Sequence, residues 1–514
     1  MMSEAGFPYL SVLTVLPAVG ALVVMLVPRR QAAMAKLIAL VWSLVVLGLA
    51  IVMFFAFKPN GARFQFRESY PWIPTWDVRF TFAADGIALV MVALVALLVP
   101  LVIVYSWPGP EGEARTPSRR SVPAFFALLL ALESTMIGVF AAADIFLFYV
   151  FFEVMLVPMY FLIGSYGGAR RQYAAVKFFL YSLVGGLFML AAVIGLWVLG
   201  GQTFDWEKLA AADFSTGAER WLFLGFFVAF AIKAPFFPFH TWLPDAGGAA
   251  PAGAAALLVG VLDKVGTFGI LRYCLPLFPE ASRYFAPLAL TLAVVGIIYA
   301  ALLAVGQNDL KRLVAYTSIA HFGFIGVGIF AFTTQAGTGA VLYMLNHGLA
   351  TGLLFLVVGM FVARRGSALI SDFGGAGTMV PVLAGVFLFA GLASLALPGL
   401  APFVSEFMVL IGTLTVNKTV AVIATAGIVL AAAYVLWMIQ RTTQGTLNPA
   451  LSTVDGMRRD LTWRETAVVA PLIVLLIVLG FYPKPVIDVI NPAVTATLQQ
   501  DMGVQDPAPT EASR

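Results

Sequence analysis

The chain has 514 residues, of which 61% are hydrophobic and only 11% charged, with a formal net charge of +4. A soluble domain carries about 25% charged residues, so this composition describes a polytopic membrane protein with no room for a large soluble domain. The small net charge leaves no nucleic-acid patch, and the single cysteine, Cys274, excludes both an intrachain disulfide and the ligand set of an iron–sulfur cluster.

A membrane span needs about 20 apolar residues, and that ruler applied along the chain gives about fourteen helices. They are expected over 9–28, 34–57, 84–107, 121–142, 144–164, 174–199, 221–240, 252–275, 284–305, 313–332, 339–363, 378–415, 419–440 and 466–482. The first resembles a membrane helix more than a cleaved signal, because Arg29 and Arg30 follow its apolar run instead of preceding it. The longest polar stretches are 58–83, 200–220, 441–465 and the tail after Tyr482. Basic residues favour the cytoplasmic side. With the loop after the first helix taken as inside, inside loops hold 17 Lys and Arg, among them Arg115, Arg119, Arg120, Arg170, Arg171, Lys311 and Arg312, against 11 outside. Both termini are then outside.

Two spans are broken. The seventh contains IKAPFFPFHTWLP, with Pro235, Pro238 and Pro244, and the twelfth contains LALPGLAPFVSEF, with Pro398, Gly399 and Pro402. Proline removes a backbone donor and clashes with the preceding turn, so such breaks persist in a membrane only where protein or water satisfies the freed groups. Paired interrupted helices are the mark of an inverted repeat. The predicted fold is therefore an all-α polytopic bundle with two inverted five-helix repeats. Its organisation is 1–120 for helices one to three, 121–275 for the first repeat (helices four to eight), 284–440 for the second (helices nine to thirteen) and 441–514 for a loop, helix fourteen and a polar tail.

Ionisable side chains inside apolar runs are the candidate functional residues. Glu153 interrupts LFYVFFEVMLVPMYFL, Lys233 interrupts WLFLGFFVAFAIKAPFFPFHTWLP, Lys264 interrupts ALLVGVLDKVGTFGIL and Glu406 interrupts PFVSEFMVLIG. A charge at mid-membrane costs roughly 2.5–3.5 kcal/mol or more, which suggests a route for protons or ions. Burial disfavours the charged form, and an opposite charge nearby restores it. Glu153 is thus either a carboxylate switched by a lysine partner or a neutral structural group. Lys233 either exchanges protons or fills carbonyls freed at the first break, and Glu406 is either a terminal proton site or a brace for the second. Asp263 points about 100° away from Lys264 on a helix, as a second polar group or a local counter-ion. His240, His321 and His347 all fall in or beside apolar segments, and imidazole titrates near neutrality. They are read as relays, against satisfied core residues. Glu133 and Asp144 read as structural or access-path groups, and Lys177 as a lysine reaching the inside surface. No phosphate loop, metal motif or nucleophile triad appears, so no cofactor is expected on this chain.

The stretches DIFLFYVFFEVMLVPMYFLIG, AIKAPFFPFHTWLPDA, LDKVGTFGILRY, QNDLKRLVAYTSIAHFGFIGVGIF, MLNHGLATGLLFLVVG and GLAPFVSEFMVLIG resemble the antiporter-like subunits of respiratory complex I, over most of the chain from about residue 84 to 440. Glu406 in its SEF context resembles subunit M, since the sister subunits L and N and the multisubunit cation/proton antiporters usually have lysine there. The resemblance implies a proton-pumping subunit of a bacterial NADH:quinone oxidoreductase in the cell membrane. NADH and quinone would be bound by other subunits, and membrane-arm subunits and lipid would be the partners. It also implies that Glu153 pairs with Lys233, that Lys264 and Glu406 continue the path, and that His240, His321 and His347 lie between them. One departure is the apolar GGAAPAGAAALL after HTWLPDA, where the family usually has a polar stretch. Rival readings are a cation/proton antiporter subunit and a membrane-arm spacer that moves no protons.

Overall fold

The computed structural model describes residues 6–108 and 121–507. Arg115, Arg119 and Arg120, used above to set the orientation, lie outside them. The helices are α1 (Tyr9–Leu26), α2 (Ala32–Ala56), α3 (Gly86–Tyr105), α4 (Val122–Ala141), α5 (Ile145–Tyr166), α6 (Arg171–Leu199), α7 (Thr216–Lys233), α8 (Trp242–Ala249), α9 (Ala252–Leu277), α10 (Pro279–Val305), α11 (Leu310–Phe330), α12 (Thr334–Arg365), α13 (Pro381–Ser394), α14 (Ala401–Leu414), α15 (Lys418–Thr443), α16 (Trp463–Phe481) and α17 (Lys484–Thr495). Among the described residues, twelve helices are long and apolar enough to cross a membrane. The two expected broken spans appear as the successions α7–α8 and α13–α14. The seventh stops at Lys233 instead of running to 240, and the twelfth is two short helices instead of one.

Sequence chemistry explains the ends. Asp85, Asp144 and Asp309 each accept a hydrogen bond at 2.9 Å from a backbone N–H in the first turn of the helix they precede, which satisfies one of the donors a helix start leaves free. In α5 the helix is interrupted at Met155. Pro158 follows Val154 by four residues, and a proline ring clashes with the carbonyl at that spacing.

The helices sort into an inner and an outer set. The apolar windows of α9 and α12 are wholly buried and that of α11 is 94% buried, whereas α2 and α16 bury only 28%. The inner helices carry Lys264, His321 and His347, so the costliest side chains sit where protein, not lipid, surrounds them. Helix α9 is irregular there. Wide turns over Leu258–Leu262 and Ile270–Cys274 bracket the regular turn at Lys264–Gly269, a deformation that recurs at functional sites.

The polar stretches hold structure that the hydropathy reading missed, including short helices over Trp206–Ala210 and Pro449–Ser452. Within 58–83, strands β1 (Gln65–Ile73) and β2 (Val78–Ala84) form an antiparallel hairpin, with Glu68 opposite Phe82 and Ile73 opposite Val78. The alternation in VRFTFAA is the period-two pattern of a strand. The expected polar tail contains α17, whose Val489, Ile490, Ala493 and Val494 are buried. This C-terminal segment packs on the hairpin end of the bundle. Arg63 binds Asp501 at 2.8 Å and Thr497 at 2.9 Å, while Arg272 of α9 binds Asp85 at 2.8 Å. A Cβ at Gly86 would lie 1.8 Å from the carbonyl oxygen of Val489, so only glycine permits that approach.

Candidate functional site

The first group of charges lies where α5, α6 and α7 meet. Lys233 is the last residue of α7 and fully buried. Its Nζ sits 4.8 Å from the ring centre of Phe152 and 5.6 Å from that of Phe178, so aromatic faces stand in for part of its lost hydration. It has no hydrogen-bond partner among the described residues, and neither has Oε1 of Glu153. The Glu153 carboxylate rests on Gly186 of α6, where a Cβ would come within 1.6 Å of Oε1. Glu153 and Lys233 lie within electrostatic reach of each other, yet beyond the 4.0 Å of an ion pair.

The break after Lys233 is not held by the lysine. The indole Nε1 of Trp242 donates to the carbonyl of Ile232 at 2.8 Å, and the N–H groups of Ala234 and Phe236 donate to Phe230 and Ala231 at 2.7 and 2.8 Å. Pro235 and Pro238 leave few donors in this stretch, and the fixed indole replaces one. Lys233 is therefore left with no backbone duty.

The second group is a connected set at the centre. The Lys264 ammonium contacts Nδ1 of His347 at 2.7 Å, Oδ1 of Asp263 at 3.2 Å and the carbonyl of Val259, and lies 5.0 Å from the ring centre of Phe322. Asp263 is thus the local counter-ion, one of the two roles left open above. The His347 and His321 rings are 5.3 Å apart between centres. His321 in turn contacts the hydroxyl of Tyr343 through Nδ1 at 2.9 Å and that of Tyr434 through Nε2 at 3.3 Å. Glu406 lies within electrostatic reach of both tyrosines. Its carboxylate makes no hydrogen bond among the described residues. The second break is instead tied by Asn346, whose Nδ2 donates to the carbonyl of Ala401 at 2.7 Å and to Ser405 Oγ at 3.3 Å.

Tyr343 and Tyr434 were not singled out from the sequence. The available signal was Tyr343 four residues before His347, hence on the same helix face, and a lone hydroxyl in the apolar stretch AAAYVLW. Each phenol both donates and accepts, so the pair can pass a proton between an imidazole and a carboxylate. The Lys264–His347 contact has the same capacity, because an amine and an imidazole can each hold the shared proton.

The remaining candidates fall outside this chain of contacts. His240 is buried between Phe237 and Tyr299, with ring centres 5.8 and 5.2 Å away, and its Nδ1 has no partner. No hydrogen bond links it to Lys233 or Lys264 among the described residues. Lys177 does not simply reach the surface; it is half-buried and bound to Asp245 at 2.7 Å. Asp144 caps α5 and accepts from the backbone N–H of Arg79 at 3.1 Å, a structural role. Glu133 is wholly buried with both carboxylate oxygens unpartnered.

Residues 142–431, which contain Glu153, Lys233, His240, Lys264, His321, His347 and Glu406, match the family model described as NADH:quinone oxidoreductase/Mrp antiporter, TM. The chain is 48% identical to a Mycobacterium tuberculosis protein named NADH-quinone oxidoreductase subunit M, over 98% of this chain and 96% of that one. Among solved structures it superimposes on a chain of respiratory complex I from Thermus thermophilus with bound NADH, at a TM-score of 0.86 and 32% identity, covering 96% of this chain and 100% of that one. A chain of the Mrp complex from Dietzia sp. shares the fold at a TM-score of 0.83 and 20% identity, covering 97% and 100% of the two chains. This multi-pass membrane chain belongs to the NADH:quinone oxidoreductase/Mrp antiporter transmembrane family.

Proposed function

We propose that the chain is a proton-translocating membrane subunit of a respiratory NADH:quinone oxidoreductase, driven by electron transfer carried out on other subunits. The observation that carries the reading is the buried run Lys264–His347–His321, extended by Tyr343 and Tyr434 toward Glu406. Apart from the Lys264 contact with the carbonyl of Val259, this series of costly groups braces no backbone, since Trp242 and Asn346 hold the two breaks. A spacer would not need it.

In this reading Glu153 and Lys233 form the control pair. Bringing two opposite charges to about 4 Å adds about 4 kcal/mol of attraction at an effective dielectric near 20, enough to decide which protonation state of the pair prevails. Lys264 is the central station, with Asp263 as its counter-ion. His347, His321 and the two tyrosines relay, and Glu406 is the terminal site. His240 serves the entry side of the path. The helices between residues 121 and 275 and between 284 and 440 act as two inverted units of five, flanked by 1–120 and 441–514. Both termini lie outside a bacterial inner membrane in this reading, which the excess of basic residues in the opposite loops supports. Partners are the other membrane-arm subunits, and NADH and quinone are bound elsewhere in the assembly.

Lys264→Ala tests the reading. Membranes carrying equal amounts of assembled complex should lose NADH-driven proton uptake in the variant. Parental uptake and turnover would remove Lys264 from the path and the reading with it.

A further inference from the structure

Asp245 of α8 joins three helices. Its Oδ2 accepts from Nζ of Lys177 on α6 at 2.7 Å, and its Oδ1 accepts from Nη1 of Arg312 on α11 at 2.6 Å. The C-terminal end of α8 is held as well. The backbone N–H of Gly168 donates to the carbonyl of Ala249 at 2.8 Å, and the Lys311 amino group donates to the carbonyl of Ala250. Cations suit a helix C-terminus, where carbonyls lack intrahelical partners. Against this clamp lies a cavity of about 220 Å³ lined by Arg170, Tyr173, Asp245, Gly248, Asp309 and Arg312. At about 30 Å³ per water, it holds about seven water molecules, and its walls carry charges of both signs.

Just ahead of α8, in the turns that precede its first residue and five positions before Asp245, stands His240. Its Nδ1 is buried with no partner, and the Lys177 charge lies within its electrostatic reach. The adjoining Thr241 hydroxyl bonds Tyr181, one turn beyond Lys177 on α6, at 2.8 Å. A buried imidazole nitrogen left unpaired is unfavourable. It becomes intelligible if another state of the protein lets water reach it.

We propose that the cavity is the aqueous inlet for protons and that Lys177, Asp245 and Arg312 form its gate, with α8 as the plug between inlet water and His240. The proposal rests on the proton-path reading above and adds an entrance to it. With the clamp closed, water stops at Asp245. Loss of either cation contact frees α8 to shift, and inlet water then reaches Nδ1 of His240. The apolar GGAAPAGAAALL does not deny this entrance, because its polar groups come from α6, α8 and α11.

Thiol accessibility tests the gate without reference to pumping. Cys274 is buried, so a membrane-impermeant maleimide reports an introduced thiol, read on this chain by mass spectrometry of the intact complex. Ala249→Cys, at the cavity wall, should label rapidly from one face only. Ala246→Cys, buried behind Asp245, should be shielded in the parent. Adding Asp245→Asn or Lys177→Gln should speed its labelling about tenfold, equivalent to about 1.4 kcal/mol of lost closure, and Asp245→Glu should restore shielding. If Asp245→Asn prevents assembly, Lys177→Gln decides alone. An Ala249→Cys thiol that labels from neither face, or an Ala246→Cys rate that neither substitution changes, overturns the proposal. Failure of the Lys264→Ala test would instead strike the proton path and leave these rates as they stand.

Discussion

Lys233→Met separates function from structure most cleanly. The ammonium is fully buried, has no hydrogen-bond partner and leaves the broken backbone to Trp242. Burying it costs roughly 2.5–3.5 kcal/mol, and the faces of Phe152 and Phe178 return about 1–2 kcal/mol each. Methionine keeps the length, and its sulfur contributes about 0.3–1.5 kcal/mol against an aromatic ring. These terms offset to within about 2 kcal/mol, so the assembled complex should melt within about 3 °C of the parent. Proton transfer, by contrast, has lost a titratable group facing Glu153. The assay is NADH oxidation and proton uptake in reconstituted vesicles, with assembly checked on a native gel and melting followed in the same detergent. A parental ratio of protons to NADH in the variant would refute the reasoning. So would a collapse of assembly, which would mean that Lys233 braces the fold.

Glu406→Gln keeps shape but removes titration, so proton uptake and NADH oxidation should fall about tenfold or more. Glu406→Lys should be harmed less than Gln, and near-normal rates for Gln would reduce Glu406 to a structural residue. Trp242→Phe leaves the buried carbonyl of Ile232 unpaired, at about 1–3 kcal/mol. Thermal unfolding of the complex should show that loss, and an unchanged melting curve would deny the indole its capping role. Burial pushes the Glu68 carboxyl of β1 above its ordinary range, against the N–H donors of Leu10 and Ser11. The folded chain then binds a proton that the unfolded chain has released, so this group's contribution is present at low pH and is lost as pH rises through the folded value. Glu68→Gln should accordingly lose less stability than the parent as pH rises above the ordinary glutamate value of about 4.3, and parallel melting-versus-pH curves would contradict the assignment.

The four charged candidates, His321 and His347 could be picked out because a titratable group in an apolar run is costly, whereas His240 joins none of their contacts among the described residues. The helix breaks were legible because proline leaves a chemical mark. What could not be read was pairing across distance. His321 meets Tyr434 over 113 positions and Tyr343 over 22, and tyrosine, half apolar, does not stand out in a membrane helix. The roles left open for Lys233 and Asp263 needed geometry. Only the position of the Trp242 indole relieves Lys233 of the backbone, and only the side-chain rotamers turn Asp263 toward Lys264. The hairpin at 65–84 escaped because a span-length ruler looks for twenty-residue runs and passes over a seven-residue alternation.

The contact between Arg63 and Asp501 spans 438 positions, and its neighbour places Val489 against Gly86. A ribosome delivers the N-terminal side first. The hairpin therefore waits through the insertion of every intervening helix, and the Arg272–Asp85 pair from the insertion of α9 onward, for the segment that covers them. Until α17 arrives, Arg63 has no carboxylate from Asp501 and the apolar faces of Val489 and Ile490 are missing from that end of the bundle. Late truncations should thus behave as unfinished proteins and not as shortened ones. A nascent chain stopped after α16 keeps its central charged groups yet presents an unsealed end to the membrane's proteases, so such chains should be cleared before they join the assembly.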